Sequence, residues 1–238
     1  MRYPPAQYPL RIRSWIRRQD TTTLSKRDAT HEDKDVLTLS GLNGPGYGPV
    51  DASVAAGRCL AVMGASGSGK TRLLRAIADL DPAAGDCTLN DVSRHLIPAM
   101  EWRRRVAYVP AEPGWWAATA ADHFMDRVSC RDGASRLGVE EITLDRPVEQ
   151  LSTGERQRFA LVRALQFNPE VLLLDEPTGP LDARTTERVE EEILNQMKAG
   201  VGVILVTHDR AQADRLGADV CAIVAGRLTL PPSGGGVI

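Results

Sequence analysis

No apolar run in this 238-residue chain approaches the roughly 18 residues that a helix needs to cross a bilayer. Val201-Gly202-Val203-Ile204-Leu205-Val206, one of the longest, is the length of a strand, so the chain is not expected to span a membrane by itself. Cysteine is scarce. Cys59, Cys87, Cys130 and Cys221 lack C-x-x-C spacing, which argues against a zinc site or a disulfide framework and suggests reduced, structural thiols in a cytosolic protein. Neither sign of charge dominates. A formal net charge of -2 with 25% charged residues gives no reason to expect nucleic acid as a partner. Internal repeats are missing as well. No apolar segment follows Arg17-Arg18, so the N-terminal stretch does not read as a secretory leader. His31, His95 and His123 sit in no motif and are expected at the surface.

What is present divides unevenly. Residues 1–35 read as a basic extension, expected to be disordered: Arg2, Arg11, Arg13, Arg17, Arg18, Lys26 and Arg27 stand against Asp20 alone up to residue 27. Residues 36–230 read as an α/β domain, and 231–238, rich in proline and glycine, as a flexible tail. Within the domain, Val36-Leu37-Thr38-Leu39 alternates as an edge strand would, and Gly41 to Pro49 reads as a loop. Strands are expected at Val50–Ala55, Arg58–Met63, about Cys87–Asp91, Arg104–Val109, Val171–Leu174 and Val201–Val206. Helices are expected at about Lys70–Leu80, Gly154–Phe167 and Ala183–Lys198, with a short helical insertion at about 114–147. Strands apolar on both faces and alternating with helices imply a mostly parallel sheet covered on both sides.

Chemistry enters at Gly64-Ala65-Ser66-Gly67-Ser68-Gly69-Lys70-Thr71, which fits G-x-x-x-x-G-K-[ST] between a strand and a helix. Such glycines let backbone N–H groups curl around phosphates, and the helix start adds a favourable dipole. Lys70 would supply a point charge to the β- and γ-phosphates, and Thr71 a hydroxyl to Mg²⁺. A second strand end, Leu174-Asp175-Glu176-Pro177, carries two carboxylates. Asp175 is placed to hold Mg²⁺ and Glu176 to act as general base on an attacking water. Leu151-Ser152-Thr153-Gly154-Glu155 contains the capping box Ser152-x-x-Glu155, and a capped helix start with a glycine is also an anion site.

With these residues in this order, the chain from about Val36 to Leu230 resembles the nucleotide-binding subunit of the ATP-binding cassette (ABC) family. The resemblance rests on a phosphate loop, then an L-S-x-G-[QE] signature at Leu151–Glu155, then Asp175-Glu176. A D-loop at Gly179-Pro180-Leu181-Asp182 and a switch histidine at His208 follow. It implies a P-loop NTPase fold of ABC type with a small antiparallel β portion and a short inserted helical subdomain. The cofactors it implies are ATP and Mg²⁺. It further implies a head-to-tail homodimer in the ATP-bound state, with Ser152 and Gly154 of one copy closing on the γ-phosphate held by the other. His208 would contact that phosphate, and Asp182 would communicate between the two sites. The implied partner is a multi-span membrane permease, which would hold the protein at the cytoplasmic face of the membrane. A narrower likeness points to small stand-alone bacterial subunits of metal, especially iron, export.

Three departures from the family pattern bear on function. The glutamine usual after Tyr108-Val109-Pro110 is replaced by Ala111, with Glu112 as a candidate substitute ligand for the metal. The aromatic residue that stacks on adenine is not evident; Tyr47 is the candidate, although it lies closer to Gly64 than the family's spacing implies. Thr153 stands for the middle glycine of the signature, and Gly179-Pro180 for the usual small residues of the D-loop. Trp115-Trp116 reads equally as packing inside the insertion or as part of the permease-docking surface. Two other functions stay open at this point: a soluble ABC ATPase outside transport, and a nucleotide-gated interaction module of low turnover.

Overall fold

The structure, a computed structural model, describes residues 34–229; the basic extension up to residue 33, His31 within it, and the glycine-rich tail from residue 230 lie outside them. The chain begins with β1 (Asp35–Gly44) and β2 (Tyr47–Ala55), then β3 (Cys59–Met63) and α1 (Lys70–Ile77). Next come β4 (Ala84–Leu89), β5 (Val92–Ser93), α2 (Ala99–Arg105) and β6 (Val106–Val109). After α3 (Arg127–Arg136) and α4 (Thr153–Leu165), β7 (Val171–Asp175), α5 (Ala183–Lys198) and β8 (Gly202–Val206) alternate. The described part closes with α6 (Arg210–Arg215), β9 (Asp219–Val224) and β10 (Arg227–Thr229).

Two sheets result. One is antiparallel in the order β2-β1-β4-β5; the other runs β10-β9-β3-β8-β7-β6, parallel except for β10. Every residue of β7 and β8 is buried, as leucine- and valine-rich strands sandwiched between layers must be. The register sets Asp175 opposite Val206 and Val206 opposite Val62. The ends of β3, β8 and β7 therefore lie side by side, which is where the phosphate loop, His208 and the two carboxylates emerge.

Local chemistry explains the departures from the sequence expectations. Val36–Leu39 is no edge: β1 pairs with β2 on one side and β4 on the other. The expected Gly41–Pro49 loop is mostly strand, because irregularities in the β1–β2 ladder between Leu39 and Leu42, and between Leu42 and Gly44, absorb the glycines. Gly41, with φ of +59°, is one such position. Arg104 and Arg105 close α2 rather than open β6, since Trp102 on that helix is fully buried and fixes its inward face. The segment 114–147 has α3 and two short 3-10 turns, pinched at its neck by a bridge between Thr119 and Pro147 and by Val148 N–H donating to Ala118 O at 2.9 Å.

Helix α1, which begins at Lys70, is anchored at its far end. Its terminal carbonyls accept from buried side chains: Ala76 O from Arg94 Nη1 at 2.7 Å, and Ile77 O from Trp102 Nε1 at 2.8 Å. These are groups a helix leaves without intrahelical partners. Helices α5 and α6 are joined by an ion pair in which Arg215 Nε and Nη2 donate to buried Glu190, each at 2.7 Å. Removing the guanidinium would strand that carboxylate beside Gln212 alone. Arg215→Ala is expected to cost about 2 kcal/mol, less than a fully buried pair because the arginine is half exposed. The midpoint of urea unfolding measures this.

The four cysteines are free and buried, and desolvation pushes each thiol up to about 12, which disfavours the reactive thiolate. Among the described residues no helix is long and apolar enough to cross a membrane.

Candidate nucleotide-binding site

The loop after β3 turns back on itself through left-handed backbone at Gly64 (φ +147°), Gly67 (φ +77°) and Gly69 (φ +100°). Side chains are sterically barred at two of these. A Cβ at Gly64 would lie 2.8 Å from Ile223 O, and one at Gly69 2.7 Å from Gly46 O. Lys70 Nζ reaches back over the loop to donate to Gly64 O at 2.7 Å and Ala65 O at 2.9 Å. Ser68 Oγ is buried with no hydrogen-bond partner. An orphaned hydroxyl, a lysine ammonium and a glycine cradle bare of side chains together fit a bound phosphate chain.

Beside the loop, Thr71 Oγ1 donates to Asp175 Oδ2 at 2.7 Å, and Tyr108 Oη donates to the same oxygen at 3.3 Å. Asp175 is buried at the end of β7. Burial and the neighbouring Asp175 push the Tyr108 hydroxyl well above its ordinary range, so it remains a donor. A hydroxyl and a carboxylate are hard oxygen donors, the chemistry that suits Mg²⁺.

Glu176 takes a left-handed backbone (φ +47°) and its N–H donates to Val206 O at 2.9 Å. This turns its side chain out of the sheet, where Oε2 lies 2.9 Å from His208 Nδ1. With a carboxylate as acceptor, Nδ1 carries the proton. Two pairs, Thr71–Asp175 and Glu176–His208, thus stand at neighbouring strand ends. A carboxylate next to a phosphate cradle, aligned by a histidine, can accept a proton from water.

The signature residues begin α4. Ser152 Oγ accepts from Glu155 N–H at 3.1 Å while Glu155 Oε2 accepts from Ser152 N–H at 2.8 Å, the reciprocal box read from the sequence. Gly154 lies against the D-loop: a Cβ there would come within 3.0 Å of Leu181 Cδ2. Asp182 caps α5, accepting from Thr185 N–H at 3.0 Å and Oγ1 at 2.9 Å, and those bonds hold its carboxyl below the usual range.

Of three further expectations, one needs correction. Tyr47 is only 4% exposed and its hydroxyl is buried without a partner, and it lines a shallow pocket with Pro45, Arg72, Asp81 and Pro82. Glu112 is exposed. His123 is buried, not superficial. Its Nε2 accepts from Trp116 and Ala117 N–H at 3.0 and 3.1 Å, and its Nδ1 lies 2.9 Å from Thr119 O. His95 is largely exposed, as expected. Of the tryptophan pair, Trp115 packs inward, while Trp116 is 75% exposed. The Arg163 guanidinium sits 4.6 and 4.8 Å from their ring centroids.

Two residues of the site went unnoticed in the sequence. Tyr108 was visible only as part of the altered Tyr108-Val109-Pro110 segment. Gln157, 1% exposed, donates from α4 to Pro110 O at 3.1 Å, tying the signature helix to the end of β6. A glutamine on the inward face of an amphipathic helix was the available signal.

A glycine cradle at the end of a parallel strand, a hydroxyl–carboxylate pair beside it and a capped signature helix define a P-loop ATPase of the ATP-binding cassette class. The chain belongs to the ABC transporter family, which matches residues 47–179, and carries its ATP-hydrolysing domain, with ATP and Mg²⁺ as cofactors. It is similar to the lipoprotein-releasing system ATP-binding protein LolD 1 of Caulobacter vibrioides, 32% identical over 205 residues covering 76% of this chain and 85% of that one. It is 36% identical over 198 residues to the protein STAR1 of rice, covering 77% of this chain and 57% of that one. With the macrolide export ATP-binding/permease protein MacB of Nitrosomonas europaea the identity is 35%, covering 70% and 28%. The chain therefore spans little more than half, or less, of those last two. Among solved structures, a bacterial Atm1-family ABC exporter with ATP bound superposes with a TM-score of 0.73 at 20% identity, over 84% of this chain and 39% of that one. A dimeric ATP-binding cassette in a post-hydrolysis state bound to ADP and Pi superposes with a TM-score of 0.70 at 23% identity, over 83% and all of that chain.

Proposed function

We propose that this protein is the ATP-binding and ATP-hydrolysing subunit of a transporter, powering a separate multi-span permease from the cytoplasmic face of the membrane. The observation that carries the proposal is the pairing of Glu176 with His208 at 2.9 Å, one residue on from the Asp175 of the Thr71–Asp175 pair. Lys70 and the loop N–H groups hold the β- and γ-phosphates, and Thr71 and Asp175 hold Mg²⁺. Held there, Mg²⁺ would neutralise charge on the phosphate oxygens. Glu176 accepts the proton of the attacking water, and His208 keeps that carboxylate oriented. Ser152 and Gly154 of a second copy close the site in a head-to-tail dimer, with Asp182 linking the two sites. Trp116, exposed just beyond the end of β6, belongs to the permease-facing surface.

The cargo stays open. Relatives are named for macrolide export, sulfate/thiosulfate import, lipoprotein release and Fe(3+) import, so metal export has no special support. Co-purification from detergent-solubilised membranes tests the main reading: a multi-span protein should be retained with the tagged chain, and its absence would remove the transport role. Ala111 in place of the family's glutamine favours a second reading, a nucleotide-gated module of low turnover. A phosphate-release assay separates the two, since that reading requires negligible release from the wild-type chain.

A further inference from the structure

Strand β6 ends where the family's glutamine is replaced by Ala111, whose methyl group can touch neither metal nor water. The one polar side chain of β6 is Tyr108, and its hydroxyl donates to Asp175 Oδ2 at 3.3 Å. Thr71 Oγ1 donates to that same oxygen at 2.7 Å from α1. Two donors on different elements fix the plane of a carboxylate more firmly than one, and Asp175, 3% exposed, has little water to replace a lost donor. Downstream, Pro110 O accepts from Gln157 Nε2, so the strand end is held from both sides: at Asp175 and at the signature helix.

We propose that Tyr108 is a positioning residue for the metal-binding carboxylate, orienting Asp175 toward Mg²⁺ from the strand that has lost its glutamine. The inference rests on the nucleotide-site reading above. It acts on metal binding and leaves phosphate binding by the loop untouched. The consequence is a specific coupling: removing the hydroxyl weakens ATP binding only when the metal is present.

Calorimetric titration of ATP into the full chain carrying Glu176→Gln, with and without Tyr108→Phe, in Mg²⁺ and in EDTA, tests this. Phenylalanine keeps the ring that packs against the core and deletes only the donor. The affinity gained on adding Mg²⁺ should fall about fivefold in the double variant, as expected for losing one long hydrogen bond to a charged group. Affinity in EDTA should match the parent, which also reports an intact loop. An unchanged Mg²⁺ gain would overturn the proposal. So would an equal loss in Mg²⁺ and EDTA, which would mark a packing role only. Absence of ATP binding by the parent itself would instead remove the nucleotide-site reading and this inference with it.

Discussion

Glu176→Gln is expected to lower phosphate release by about 10²–10⁴-fold, the range for losing a positioned general base. The amide keeps the shape of the side chain and can still meet His208, but it cannot take a proton from water. ATP binding should persist, because the phosphate cradle is built from Gly64–Thr71 and contains no atom of residue 176. The arrested protein should therefore accumulate ATP-bound dimers. Phosphate release with a colorimetric readout and light scattering with ATP give both halves of the result. Turnover within tenfold of wild type would assign the base elsewhere, and ATP-bound material that stays monomeric would remove the head-to-tail arrangement.

Trp102→Ala is expected to lower stability by about 3–5 kcal/mol. The indole is fully buried in the cluster between α1, the antiparallel sheet and the parallel sheet. Its loss opens a large cavity and leaves the Ile77 carbonyl without its 2.8 Å donor. Denaturant unfolding of the purified variant measures the shift. A loss below 1 kcal/mol would mean that the core collapses around the gap. Because Lys70 opens the helix whose other end Trp102 secures, weaker ATP binding should accompany the lost stability.

The fold was largely legible because its strongest signals are local. Leu172–Leu174 and Val203–Val206 have no polar face, so they had to be covered strands, and α5 was read with both of its bounds because Asp182 caps it and Lys198-Ala199-Gly200 ends it. The phosphate loop, the carboxylate pair and the capping box are contiguous motifs and could be read for the same reason. What failed depended on partners distant in sequence. Glycines at 41, 44, 46 and 48 resemble a loop until the β1–β2 and β1–β4 ladders explain them as bulges and a tight hairpin. That the Tyr47 side chain would be largely enclosed had no signature in the sequence. His123 looked superficial because its partners, the N–H groups of Trp116 and Ala117, are backbone atoms with no sequence signature. The Tyr108 hydroxyl has no signature in the sequence because its partner, Asp175, lies 67 residues away.

The backbone at position 176 carries a lesson for mutational scanning. Its φ of +47° lies where branched side chains crowd the main chain, and two backbone hydrogen bonds, its N–H to Val206 O and Gly179 N–H to its own carbonyl, hold it there. Valine, isoleucine and threonine introduced at this point would drop out of a library through misfolding, regardless of chemistry. Asparagine and glycine would fold yet be inert. Survival counts at this codon thus mix two kinds of selection, and only variants that are soluble and silent speak to proton transfer.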